Sequence, residues 1–337
     1  MRLAASLAFL VLASCQTPSG VTTGSGLPLP PEPSDGSDFI LPASGWNLVW
    51  SDEFEGAFLD RSKWEVEESC WGGGNDERQC YVDWPETVQL ANGQLRLIGY
   101  RQTVSGPQYP HEWEGGRGET VQQSYVSGKV RTRGLADWTY GRFAARMRLP
   151  PGQGTWPAFW MLPADNTYGP WAASGEIDIM EAVNLGEVCD ECPFDEGENR
   201  SSGALHFGGE WPDNTHDVNF APLPGGPGAA DRFHVFAVEW GAGQINWYVD
   251  DNQIFSMSAE DWYSGNADPD TFPNAPFDQP FYLMLNLAVG GGLSEDNNRG
   301  GFDPDSFPAE LLVDWVRVYQ CENDPETGRA CMQGDEE

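Results

Sequence analysis

An all-β fold is predicted by three features of the 337-residue sequence. No long stretch keeps a sustained 3.6-residue apolar period. Several short segments alternate apolar and polar side chains, as half-buried strands do. The 40 glycines and 26 prolines supply many turns, which favours all-β over α/β. The length permits one large β domain or two smaller ones.

The chain opens with Met1-Arg2 and an apolar run from Leu3 to Ala13, too short to span a bilayer and suited to the core of a signal peptide. It ends in Leu12-Ala13-Ser14-Cys15, which resembles a bacterial lipobox and would make Cys15 a lipidated first residue. The alternative is an ordinary cleaved signal with an incidental cysteine. The expectation is export from a bacterial cell, anchored by lipid at the outer membrane or cell surface, or otherwise secretion. Residues 16–38, rich in Pro, Gly, Ser and Thr, read as a flexible linker. The folded domain is expected over 39–321, followed by a frayed acidic tail over 322–337.

Leu48 to Phe54 reads as the first strand and its exit, and Cys70-Trp71-Gly72-Gly73-Gly74-Asn75-Asp76-Glu77 as a loop. Gly93 to Ile98 and Ser127 to Arg133 are strand-like, separated by a polar, Gly-rich stretch. Arg142 to Leu149 alternates, with Phe143, Met147 and Leu149 inward and its arginines solvating the other face. Pro150 to Thr155 turns the chain into Trp156–Pro163. Asn184 to Ser202 is an acidic loop longer than a hairpin needs. His206 lies on the next strand, with Pro212, Asn214 and His216 in the loop after it. Phe233 to Val238 and Gln244 to Asp250, joined through Gly241-Ala242-Gly243, form a hairpin. Phe281 to Val289 is an apolar strand in which Asn286 must find buried partners, and Leu311 to Tyr319 is the last strand.

The 52 acidic residues outnumber 18 basic ones, for a formal charge of −34. Such a surface disfavours nucleic acid and anionic lipid headgroups. It also tilts a saccharide ligand towards neutral glycans, while adaptation to salty surroundings explains the charge equally well. Seven cysteines leave six to pair if Cys15 carries lipid. The local pairs Cys70–Cys80, Cys189–Cys192 and Cys321–Cys331 are plausible among fifteen connectivities. A zinc site on Cys189-x-x-Cys192 with His206 is a weak signal.

The stretch with most chemical content is Gly175-Glu176-Ile177-Asp178-Ile179-Met180-Glu181. Its alternation puts Glu176 and Asp178 on one strand face, but would send Glu181 into the core, where an unpaired carboxylate is costly. A β-bulge near Ile179-Met180 would return Glu181 to the face of Glu176. Carboxylates crowded this way cannot all ionise, so one stays anionic while another keeps its proton. A retaining glycosidase needs such a pair about 5–5.5 Å apart. An edge strand with its acids in water is the bland alternative for the isolated pattern.

The flanking segments reverse that balance. Trp156-Pro-Ala-Phe-Trp160-Met-Leu-Pro163, Gly175-Glu-Ile-Asp-Ile-Met-Glu-Ala-Val-Asn184, Ala204-Leu-His206-Phe-Gly-Gly-Glu-Trp-Pro-Asp-Asn214, Leu285-Asn-Leu-Ala-Val-Gly-Gly291 and Asp314-Trp-Val-Arg-Val-Tyr319 together resemble glycoside hydrolase family 16, in its laminarinase-like branch, over residues 46–320. The resemblance implies a β-sandwich jelly roll of the concanavalin A-like lectin/glucanase type, whose concave face forms an open cleft. It implies Glu176 as nucleophile, Asp178 as the residue that positions and tunes it, and Glu181 as acid/base. Trp156, Trp160 and Trp171 would line the cleft and His206 would hydrogen-bond near the acids. Trp71 would border the donor side, although a loop tryptophan covering core is an equal alternative. A structural calcium would be held by Asp314 with carbonyls near Glu55 and at Gly93; the chemistry itself needs no cofactor. The substrate implied is β-1,3-glucan or mixed β-1,3/1,4-glucan, cleaved by a monomer. An agar-type galactan hydrolase and a non-catalytic glycan-binding module are the rivals.

Overall fold

A computed structural model describes residues 45–332, apart from 114–115, 189–191, 193–196, 227, 229–230 and 297–299. The expected signal peptide, Cys15 and linker therefore lie outside the described residues. Seventeen strands follow in chain order. They are β1 (Trp46–Asp52), β2 (Glu65–Val66), β3 (Gln79–Tyr81), β4 (Val88–Ala91), β5 (Gln94–Pro107), β6 (Thr120–Ser127), β7 (Lys129–Arg131), β8 (Gly141–Arg148) and β9 (Thr155–Pro163). Then come β10 (Glu176–Glu181), β11 (Arg200–Gly208), β12 (Asn214–Pro222), β13 (His234–Gly241), β14 (Gln244–Val249), β15 (Asn252–Ser258), β16 (Phe281–Val289) and β17 (Ala309–Cys321). Among the described residues there are also two short α-helices, α1 (Gly292–Asp296) and α2 (Arg329–Met332), and short 3-10 turns at Gly72–Gly74, Trp171–Ala173 and Pro304–Ser306.

The strands form two sheets. A ten-stranded sheet runs β15-β14-β13-β8-β17-β5-β6-β3, with β1 added to β17 and β4 to β5, and a seven-stranded sheet runs β12-β11-β10-β9-β16-β7-β2. All-β architecture is thus as predicted, and apolar faces of both sheets meet in one core that includes Phe143, Met147, Phe159, Ile177, Trp240, Trp247 and Leu285. The hairpin at Ala242-Gly243 forms as expected, with Gly241 opposite Gln244. Asn286 finds its buried partners in the Trp160 indole, which donates to Oδ1 at 2.7 Å, and the Tyr81 hydroxyl at 3.0 Å from Nδ2.

In the polar stretch after Ile98, β5 runs on to Pro107 and β6 starts at Thr120, so the backbone pairs as a ribbon where few side chains drive burial. Three expectations are corrected. Asn214 and His216 lie on β12 rather than in a loop, because that strand pairs residue by residue with β11. The β8 arginines do point away from the core, but Arg142 and Arg146 are not solvated. Arg142 is buried between Glu239 and Asp251, at 2.7 and 2.8 Å, and Arg146 donates to Asp314 at 2.8 Å. The tail is not frayed from 322 onward. A Cys321–Cys331 disulfide, α2, and a hydrogen bond from the Ala242 amide to the Thr327 carbonyl hold it to the body as far as Met332.

Cys70–Cys80 also forms as expected. Cys192 is disulfide-bonded, which removes the thiolate a zinc site would need, and Cys189 lies outside the described residues.

Removing one partner of a buried ion pair strands the other charge. Arg142→Ala is therefore expected to lower stability by about 3 kcal/mol in urea unfolding, while Arg142→Met with Glu239→Leu recovers most of that loss.

Candidate active site

The bulge is where the sequence places it. Against β9, Asp178 faces Trp160 and Met180 faces Phe159, so Ile179 is the extra residue. Against β11 the register likewise shifts between Asp178 and Glu181. Ile179 and Met180 are both buried, and Glu181 returns to the face of Glu176 and Asp178. Turning the chain here removes the Asp178 carbonyl from a regular ladder. The Trp247 indole, reaching across the core from β14, donates to that carbonyl at 2.8 Å. Gly203 on β11 makes room for it: a Cβ there would lie 2.3 Å from the Trp247 ring.

Each acid is held by a neighbour. The Trp171 indole donates to Glu176 Oε2 at 2.6 Å, and the Trp156 indole donates to Glu181 Oε1 at 2.8 Å. Trp171 holds its position with φ of 48°, a left-handed conformation that a bulky residue adopts only when its surroundings enforce it. Asp178 is 3% exposed. His206, its neighbour on β11, brings Nε2 to 3.3 Å from Asp178 Oδ2 and 3.9 Å from Glu176 Oε1. The contact with Asp178 is an ion pair without hydrogen-bond alignment, since Oδ2 has no hydrogen-bond donor. His216 stacks on His206 with centroids 5.3 Å apart.

Burial and the Asp178 charge, in that order, push Glu176 up to about 7, with His206 and Trp171 pulling it back. The same two causes push Glu181 up to about 8, with the Trp156 hydrogen bond opposing them. Burial works against a charged His206, yet Asp178 and Glu176 outweigh it and push the imidazole up to about 10. His206 thus keeps its proton near neutrality, and both Glu176 and Glu181 lie well above the usual carboxylate range. Ligand atoms of Glu176, Asp178 and His206 lie within 4.8 Å of one another, which shows how closely the three groups crowd.

The cleft floor extends across the seven-stranded sheet. Cross-strand pairing carries one row from Asp178 to Trp160, Met284, Arg131 and Glu65. A second row runs from Glu181 through Ala158 and Asn286 to Lys129. Directly paired residues share a face, so Trp160, Asn286, Lys129 and Arg131 belong to the floor. Lys129 sits 4.8 Å over the Trp160 ring and 3.2 Å from Glu67. Sequence reading missed Lys129; its rarity in a chain with two lysines was the available signal. Of the nominated residues, Trp156, Trp171 and His206 touch the acids and Trp160 stands beside Asp178. Trp71 instead packs in a loop cluster with Tyr109 and Trp113.

Residues 46–321 match a family model described as "Beta-porphyranase A-D, GH16 domain". The chain belongs to glycoside hydrolase family 16. This family 16 chain is 40% identical over 308 residues to glucan endo-1,3-beta-glucosidase A1 of Niallia circulans, covering 86% of the chain but only 41% of that protein. It is 39% identical over 290 residues to a beta-glucanase of Rhodothermus marinus, covering 85% and 89%. The laminarinase structure from Rhodothermus marinus aligns with a TM-score of 0.64 at 37% identity, over 81% of this chain and 97% of that one. The sandwich of this family 16 chain is accordingly a jelly roll.

An acid whose pKa is raised on folding costs stability as pH climbs from its unfolded value, near 4.5, through its folded value, about 8 for Glu181. Glu181→Gln removes that cost. Its melting temperature is expected to exceed wild type at pH 8.5, with the two converging near pH 4; equal melting at both pH values would refute the raised pKa.

Proposed function

We propose that the chain is a retaining endo-hydrolase of β-1,3-glucan or mixed β-1,3/1,4-glucan. The observation that carries the mechanism is the pair Glu176 and Glu181, levelled by the bulge and both pushed up in proton affinity by burial and the Asp178 charge. The substrate class rests on the relatives, several of which are named as β-glucanases or laminarinases.

In the first step Glu176, as carboxylate, attacks the anomeric carbon while the glycosidic C–O bond breaks. Glu181 gives its proton to the leaving oxygen, so a covalent glycosyl-enzyme and a shortened chain result. Glu181, now an anion, takes a proton from water, whose oxygen displaces Glu176 from the anomeric carbon. Trp171 and Trp156 fix one oxygen of each acid. Asp178 holds a charge that raises the proton affinity of both, and His206 partly balances it.

A galactan reading has one specific support, the porphyranase name of the matching family model. The formal charge of −34 opposes a sulfated galactan. A relative named as a beta-1,3-glucan-binding protein from Penaeus monodon, 31% identical over 317 residues, keeps a binding module in view, but a pure binder has no need of three crowded acids.

Reducing-end release on laminarin, lichenan, agarose and carrageenan side by side decides among these. Release from laminarin, with or without lichenan, is expected, with Glu176→Gln slowing turnover at least a thousandfold, roughly the scale of losing a nucleophile. Release from a galactan alone overturns the substrate, and wild-type-like turnover by Glu176→Gln overturns the mechanism.

We also propose the structural calcium. Strand pairing places Asp314 between the exit of β1 and the start of β5, since Val316 faces Asp52 and Val313 faces Leu95. Next to Gly93, the Gln94 amide is buried with neither atom hydrogen-bonded, and hard oxygen donors suit calcium. One oxygen of Asp314 is already engaged by Arg146, so the ion would share that carboxylate. Added calcium is expected to raise the melting temperature of EDTA-treated protein, and Asp314→Asn to abolish the rise.

A further inference from the structure

The first row of the cleft floor does not stop at the catalytic neighbourhood. It crosses β9 and β16 to Arg131 on β7 and Glu65 on β2. Four strand spacings separate β10 from β2 in the sheet order, a distance of about 19 Å. Arg131 is only 2% exposed, and it binds Glu112 through two nitrogens at 2.6 and 2.9 Å, with Glu65 and Glu67 each at 2.9 Å. Arg133 adds a second hold on Glu112. A buried charge network of this kind fixes the loop that carries Glu112 against the far end of the floor.

The residue after Glu112 is Trp113. Its ring stacks on Tyr109 with centroids 4.9 Å apart and an interplanar angle of 15°, and meets the Trp71 ring at 4.7 Å. Trp71 is fixed in turn: its neighbour Cys70 is bonded to Cys80, and the Cys70 amide reaches the Pro107 carbonyl at the end of β5. Trp113 nevertheless remains 40% exposed. A single exposed tryptophan needs no explanation, but three packed aromatic rings anchored from both sides, with Trp113 still partly exposed, make a preorganised apolar patch. Such a patch, tied through Glu112 to the Arg131 end of the floor, suits the apolar faces of successive sugar rings.

We propose that Trp113, backed by Tyr109 and Trp71, forms a distal sugar-stacking subsite at the β2 end of the cleft, gripping the polysaccharide several units away from the bond that is cut. The occupant is the glucan chain itself, since the patch continues the floor on which that chain lies. This rests on the β-glucan assignment. The consequence is a preference for long chains, because a short oligosaccharide bound across the acids does not reach β2.

The test compares kcat/KM on laminarin with kcat/KM on laminaritriose for the full chain, as wild type, Trp113→Ala, Trp113→Phe and Tyr109→Ala. The laminarin-to-triose ratio is expected to fall about five- to tenfold in Trp113→Ala, through KM on the polymer, with Trp113→Phe recovering part of it and Tyr109→Ala falling in between. A wild type that cleaves laminarin with a ratio unmoved within twofold in Trp113→Ala overturns the subsite, as does an equal loss on both substrates, which marks a purely structural loop. A wild type that leaves laminarin intact overturns the β-glucan assignment and the subsite together.

Discussion

One extra residue in β10 is the constraint on which the site depends. Without Ile179 out of register, a strand carrying acids at 176, 178 and 181 would have to bury the third among apolar side chains. With it, all three share a face, and the Asp178 carbonyl takes its hydrogen bond from a side chain. Trp247 satisfies that carbonyl from the opposite sheet, which ties the geometry of the acids to the packing of the whole sandwich. The close approach of that indole is possible because position 203 has no side chain. The cleft, the core and the second sheet are therefore one mechanical unit, and a change deep in β14 reaches the acids through a hydrogen bond.

Crowding sets the character of the acids. The same burial that raises both glutamates would be plainly destabilising in a structural carboxylate, and here it lets the site hold a proton near neutrality. Indole donors on Glu176 and Glu181 moderate the cost, because an N–H directed at a carboxylate favours its charged form. His206 carries the compensating positive charge. Its ring stacks on His216, so the cationic side of the site lies on β11 and the aromatic side on β9 and the Trp171 turn.

A chain with 52 acidic and 18 basic residues has few cations to distribute, and the structure concentrates several of them in buried networks. Arg142, Arg146 and Arg131 each hold carboxylates beneath or beside a sheet, while Lys129 lies on the cleft floor between Glu67 and Trp160. These pairs organise loops as much as they stabilise the body, because a buried arginine fork has demanding geometry. The loop bearing Trp113 owes its placement to such a fork.

Periodicity and turn residues by themselves determined the all-β class, the hairpin at Ala242-Gly243 and the bulge, because each follows from the rule that a strand shows alternate residues to one face. The need to keep Glu181 out of the core made the bulge legible before any coordinates. The local disulfides Cys70–Cys80 and Cys321–Cys331 were plausible from short spacing alone, but only the fold chose them among fifteen connectivities. Other features depended on pairing between residues far apart in the chain. That Arg142 is buried follows from Glu239 and Asp251 arriving from β13 and the turn after β14, that the tail is held follows from its contacts with β13, and that Trp71 joins Tyr109 and Trp113 follows from the β5–β6 ribbon. Charge alone made the arginines look solvated, for a local pattern records which face a side chain takes but not what covers that face. Only the folded sheets decide the cover, and with it which polar groups become buried, paired and chemically tuned.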